Sequence, residues 1–222
     1  MSEAAPVYTL KSVKTFIGRE GHGFNAVLCR DGKPVADVRD DASGGPVDFH
    51  WRDYAAPRVE ITVLMERSRD EGLVPMTLRV TPEEAQLYTL TETLPPTVYR
   101  EDDLTIRMDP EGFVNELVTD HQEAARFRRL LKKSLAAVVP EGICTWKAEP
   151  TPENVVRLKK QRPDVEVLSG LPLEDAVARA VQVTKALSRG ETVVPVTNRP
   201  EPSPPVASIA PEAPKRRARK TP

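Results

Sequence analysis

The chain is short of cysteine, aromatics, histidine and long apolar runs, and each shortage removes a class of protein. Two cysteines, Cys29 and Cys144, among 222 residues cannot build the disulfide framework of a small secreted scaffold. Both lie in short apolar stretches and read as reduced, buried thiols. Aromatics make up only 5%, too few for the stacking platforms that grip single-stranded nucleic acid. The longest apolar run falls short of the roughly eighteen residues a membrane-spanning helix needs. The opening Met-Ser-Glu-Ala-Ala-Pro has no charged segment followed by an apolar one, so no signal peptide is expected and the cytoplasm is the expected location. His22, His50 and His121 lie in different predicted elements, and no Cys or His pair has ligand spacing, so neither a metal nor a cofactor is expected. Asp37, Asp40, Asp41 and Ser43 lack the alternating oxygens and distal glutamate of a calcium loop. No serine sits in a nucleophile elbow and no zinc-hydrolase motif occurs, so the balance is against an enzyme.

What the chain does have is charge, proline and a clear change of composition along its length. Charged residues are 29% and apolar ones 39%, and the net charge is −1. That small sum hides a division: residues 195–222 carry +4 and residues 1–194 carry −5. The last 28 residues also hold eight of the 22 prolines and almost no large apolar side chains. Such a segment buries too little surface to offset its ordering entropy, which predicts a disordered, basic tail over 191–222 beyond a folded body ending near Gly190.

The body reads as α+β. Residues 1–108 predict an antiparallel meander plus a short helix. Tyr8–Ile17, Phe24–Arg30 and Pro34–Arg39 are strand-like, and Asp31-Gly32 between the last two is a strong hairpin signal. Val47, Phe49 and Trp51 alternate with Asp48, His50 and Arg52, the period of a half-buried strand. Val59, Ile61, Val63 and Met65 repeat the pattern, and Leu78 and Val80 suggest a short last strand. Thr81-Pro82-Glu83, Asp109-Pro110-Glu111 and Thr151-Pro152-Glu153 each supply a cap, a proline without an amide to orphan and an acid facing the helix dipole. With the weaker Leu171-Pro172-Leu173-Glu174, they predict helices over about 82–92, 110–133, 152–161 and 172–188. Residues 109–190 then form a long helix followed by a strand–helix–strand–helix unit. Its strands, Ile143–Lys147 and Val165–Leu168, are expected to pair in parallel across a right-handed crossover.

Six of the eleven glycines fall between Gly18 and Gly45. With Asp31-Gly32 as the turn, Arg30 faces Lys33, Leu28 faces Val35 and Phe24 faces Arg39. The loops 18–23 and 40–45 then meet at the open end of the hairpin. Arg19, His22, Asn25, Asp40 and Asp41 share that rim as candidate ligand-binding residues, and a histidine beside carboxylates suits acid–base chemistry. Glycine and aspartate are equally what tight turns require, and an Arg19–Asp40 or Arg19–Asp41 ion pair is the plainer reading. Gly18–Gly23 is not a phosphate loop, because it lacks the lysine and precedes a strand. Arg126, Arg128, Arg129, Lys132 and Lys133 at the end of the long helix are explained first by its dipole. Lys215, Arg216, Arg217, Arg219 and Lys220 form a cluster that binds polyanions weakly and without sequence preference.

Lys14-Thr15-Phe16, Gly18-Arg19-Glu20-Gly21, Gly23-Phe24-Asn25-Ala26 and Arg30-Asp31-Gly32-Lys33, followed by Asp40-Asp41 and Gly44-Gly45, resemble a group of uncharacterised bacteriophage and prophage proteins. The resemblance covers residues 14–51, about a sixth of the chain. It implies a phage-type origin, the host cytoplasm as location and an accessory role, and it carries over no functional residue. The reading that emerges is an interaction or accessory protein with weak, nonspecific attachment to nucleic acid or an acidic partner through its tail. The alternative is a small hydrolase or transferase using His22 with Asp40 or Asp41.

Overall fold

The computed structural model describes residues 6–66, 73–94, 97–99 and 104–196. It is a mixed α+β chain whose N-terminal sheet is antiparallel, with strands β1 (Tyr8–Ile17), β2 (His22–Arg30), β3 (Lys33–Asp40) and β4 (Asp48–Trp51) in sequential order. Asp31 and Gly32 both have positive φ, 50° and 79°, the signature of the tight turn that matches strand twist. The Asp31 carboxylate also accepts the Val7 amide at 2.9 Å, which ties down the start of β1.

The hairpin departs from the expected register by one residue. Arg30 faces Lys33 as anticipated, but Leu28 faces Ala36 and Phe24 faces Asp40, with the irregularity between Leu28 and Cys29. Pro34 has no amide hydrogen to continue the ladder, and a bulge at Val35 absorbs the break. Its effect is to bury both Val35 and Ala36, at 7% and 0% exposure. One face of the sheet, including Tyr8, Phe24, Leu28, Val38 and Trp51, packs on two helices, α1 (Pro82–Thr93) and α2 (Pro110–Leu131). Leu87 of α1 and Val114 of α2 are wholly buried there. Arg30 also reaches α1, meeting Glu83 at 2.7 Å and Gln86 beside it.

The predicted caps are present. Thr81 and Glu84 form a reciprocal capping box, and Asp109 accepts the Gly112 amide at 2.7 Å. A third helix, α3 (Pro152–Gln161), is capped by Thr151. The fourth, α4 (Leu173–Ser188), has no side-chain cap. Between α1 and the N-terminal sheet lies a hairpin, β5 (Val59–Glu66) and β6 (Leu73–Val80), whose second strand is longer than Leu78 and Val80 suggested. A further hairpin, β7 (Thr97–Tyr99) and β8 (Leu104–Ile106), was not anticipated.

The C-terminal unit corrects the expected parallel crossover. A strand missed in the sequence, β9 (Leu135–Val139), lies between β10 (Gly142–Trp146) and β11 (Glu166–Val167) and is antiparallel to both. Leu-Ala-Ala-Val-Val follows a helix directly and contains good helix formers, so it reads as helix continuation. Both its faces are covered, so it has no alternation to betray a strand. All five residues are buried. Ala136 and Val138 face α2 and α4, while Leu135, Ala137 and Val139 face α3. Cys29 is buried as expected, but Cys144 is exposed because β10 is an edge strand.

The body also extends past Gly190. Gly190 has φ 78° and donates to Leu187, while Glu191 donates to Ala186, the paired bonds of a glycine-terminated helix. That turn sends the chain back so that Val193 enters the second core at 5% exposure. Arg179 grips Glu166 with two nitrogens and reaches the Val194 carbonyl at 3.2 Å. Glu166 in turn accepts the Val196 amide at 3.0 Å. Ordered contacts therefore run six residues beyond the expected end of the body. The predicted tail from residue 197 onward, including Lys215–Lys220, lies outside the described residues.

Charge pairs lock α4 antiparallel to α2. Arg128 bonds Glu174 at one end, and Lys185 meets Glu116 at 2.9 Å and Asp120 at 3.1 Å at the other. Desolvation lowers the Lys185 pKa, but the hydrogen bonds from Glu116 and Asp120 outweigh it, so the pKa stands above its ordinary value. The stabilisation is therefore fully present at neutral pH and is lost as pH rises through that raised pKa. Two outcomes follow. Gly190→Ala forces a side chain into positive φ and costs about 1 kcal/mol in urea unfolding. Lys185→Met costs about 1–2 kcal/mol at neutral pH, and the gap to the native chain narrows above about pH 10.4. A gap that stays constant far into the alkaline range contradicts the pairing.

Candidate functional site

The two glycine-rich loops do meet. Gly18 donates to Gly21 within one loop, and Glu20 donates to the Ala42 carbonyl of the other at 2.8 Å. A Cβ on Gly18 would lie 2.5 Å from the Ala42 Cβ, so only glycine allows this approach. Ala42 itself has φ 58°. Asp40 accepts the Ala42 amide at 2.8 Å, and Asp41 accepts both the amide and the hydroxyl of Ser43. The Ser43 hydroxyl and amide hold the Asp41 carboxyl below its usual range. Both aspartates thus act on their own backbone, as short acids in turns do.

His22 is exposed, and no hydrogen bond joins it to a carboxylate among the described residues. Arg19 is exposed too, and the expected ion pair with Asp40 or Asp41 is absent. Asn25 leaves the rim altogether. It projects from the outer face of the sheet, in register between Lys14 and Arg39. Those three, with Asp37 and His50, line a shallow cleft of about 370 Å³. The structure therefore assembles the loop junction but not the acid–base pair that a hydrolase or transferase needs at hydrogen-bonding distance. Among the described residues, no group of three or more His, Cys, Asp or Glu is arranged to hold a metal.

A second surface was discounted in the sequence as a response to the helix dipole. Residues 126–162 hold ten Lys and Arg against three Glu, although residues 109–194 as a whole are neutral. Arg126 pairs with Glu123, Arg128 with Glu174 and Arg162 with Asp164. Lys132, Lys133 and Lys147 make no ion pair among the described residues. Lys132 and Lys133 end α2 and, with Glu149, Pro150 and the α3 cap Thr151, line an open cleft of about 430 Å³. Lys147 follows β10, whose Trp146 faces Leu135 at the same end of the sheet, but it does not line that cleft. The missed signal was the clustering of like charge over a short span, visible once Lys132 and Lys133 come together beside the α3 cap.

The loop junction is testable by packing. Gly18→Ala meets the Ala42 Cβ and two backbone carbonyls, so it lowers stability by about 1–3 kcal/mol in urea unfolding. Gly45→Ala, with ordinary backbone and no close neighbour, leaves stability nearly unchanged. No family model matches the chain, and no curated protein or solved structure matches it.

Proposed function

We propose that the chain is an interaction module that attaches to a polyanion, with nucleic acid as the partner class, in an accessory role of the kind its phage-type motifs imply. The observation that carries this reading is Lys132 and Lys133, outside any ion pair among the described residues, beside an open cleft in a stretch with a large cationic surplus. Lysines already paired with carboxylates gain little from a phosphate. Unpaired ones release counterions when phosphates replace them, and that release drives nonspecific binding. The five-cation cluster Lys215–Lys220 adds a second contact of the same kind. Neither reads bases, so binding is weak, tolerant of sequence and steeply salt-dependent.

Residues 1–108 carry −5 against zero for residues 109–194, so long-range repulsion acts on the first half of the chain and leaves the C-terminal unit to make contact. The test is retention of duplex DNA and of RNA across a salt series. Lys132→Ala/Lys133→Ala reduces the slope of log affinity against log salt for duplex DNA by about two, and removal of residues 197–222 reduces it further. If both variants retain nucleic acid as the native chain does, the reading fails.

A further inference from the structure

The edges of the two larger sheets are not equally protected. Exposed edges invite another strand, and proteins defend them with bulges, lysines, short strands or coverings. At the N-terminal sheet, β1 carries a bulge between Lys11 and Lys14, and β4 has only four residues. In the C-terminal sheet, β11 has two residues, and the segment ending at Val196 is fastened to its Glu166. Among the described residues, the strand β10 has no bulge, no lysine within it and no strand paired to its outer edge. Gly142-Ile143-Cys144-Thr145-Trp146 contains no charge and no proline, it pairs regularly with β9, and no strand lies beyond it.

The direction of its free backbone groups follows from the hairpin. Two residues, Pro140 and Glu141, connect β9 to β10, and Val139 faces Gly142. In so short a hairpin the closing pair is hydrogen-bonded, and bonded pairs then alternate along the ladder. Gly142 and Cys144 therefore bond inward to β9, while the Leu135 amide passes Trp146 and donates to the Ala148 carbonyl at 2.9 Å. Ile143 and Thr145 turn their amides and carbonyls to the open edge.

The seven residues Glu141-Gly-Ile-Cys-Thr-Trp-Lys147 are complementary to themselves when reversed. Antiparallel pairing centred on Cys144 sets Ile143 opposite Thr145 of a second copy, which matches the outward backbone groups. It sets Trp146 opposite Gly142, an indole over a bare backbone, an arrangement that shields an edge glycine. It also sets Glu141 opposite Lys147, twice by symmetry, and neither makes an ion pair among the described residues. We infer that β10 is a homodimer interface, in which two copies join their C-terminal sheets edge to edge about a two-fold axis at Cys144. This rests on the edge geometry and not on the polyanion reading.

The cysteine reports the register. Cys144 and its symmetry mate form a non-bonded pair with Cα atoms about 4.5 Å apart, within the roughly 4.4–6.8 Å that a disulfide spans. The full chain is treated with diamide, which takes up the two electrons and two protons released when two thiols join. A disulfide-linked dimer is expected, and Cys144→Ser abolishes it while Cys29, buried in β2, does not substitute. Sedimentation equilibrium without oxidant reads the noncovalent dimer. Glu141→Lys and Lys147→Glu each weaken it about tenfold by setting like charges across the strands, and combining them restores it. Thr145→Pro removes an outward amide and abolishes the dimer while leaving the bonds to β9 intact. A chain that is monomeric up to near-millimolar concentration and shows no Cys144 cross-link overturns the inference. So does a dimer indifferent to both charge reversals and to Thr145→Pro.

Discussion

The constraint on which the rest depends is that one helix belongs to two cores. The 22 residues of α2 span about 33 Å, enough to reach both cores. Val114 and Val118 near its start pack under the N-terminal sheet, and Phe127 and Leu131 near its end pack against the β9 layer. Neither half of the chain buries its apolar face without this helix. Its ends are fixed accordingly, by the Asp109 cap at one and by α4, ion-paired along its length, at the other. The two sheets are therefore held by shared packing on a stiff element and not by a linker.

Much of this was legible because local chemistry and global fold agree. A capping oxygen, a proline and an acid at three helix starts predict the observed starts of α1, α2 and α3, and they do so because orphan amides demand partners wherever a helix begins. Asp31-Gly32 predicts its turn because few other pairs tolerate two positive φ angles. What was not legible depended on distant partners. The strand β9 is indistinguishable from a helical run until α3 and α4 cover its two faces. The one-residue shift in the β2–β3 pairing follows from Pro34, but which residue bulges was decided by the burial that Val35 gains. The return of Val193 into the core depends on Arg179 and Glu166, thirteen positions apart and with no pattern to link them.

The candidate site divides on the same line. That the glycine loops would meet was a matter of strand pairing, and they do. That Asp40 and Asp41 would serve catalysis required their carboxylates to be free, and the turns they occupy recruit those oxygens for backbone amides. Asn25 shows how alternation governs placement: one residue from Phe24, it points to the opposite face and joins Lys14 and Arg39 instead of the rim. The lysines at the α2–α3 cleft were visible as residues but not as a group.

Charge along α2 ties architecture to the proposed role. Its first four turns carry Glu111, Glu116, Asp120 and Glu123, and its last turns and the two residues after it carry Arg126, Arg128, Arg129, Lys132 and Lys133. This order complements the helix dipole, which is a sufficient reason for a few of these residues but not for five cations in succession. A dipole is satisfied within the last turn, so Arg126 lies too far back to be explained by it, and Arg126 and Arg128 are instead paired with Glu123 and Glu174. Lys132, the C-cap, and Lys133 follow that turn, and Lys132 also acts on the Glu174 carboxylate. Because the helix is rigid and shared, its charge order sets an acidic first part under the N-terminal sheet against a cationic end beside the α3 cap. On the proposed reading, a polyanion would be drawn to the cationic end of α2 and turned away from its acidic first part. Salt acts on both effects together, weakening the attraction and the repulsion alike, so a measured salt slope counts phosphate contacts less the relief of that repulsion.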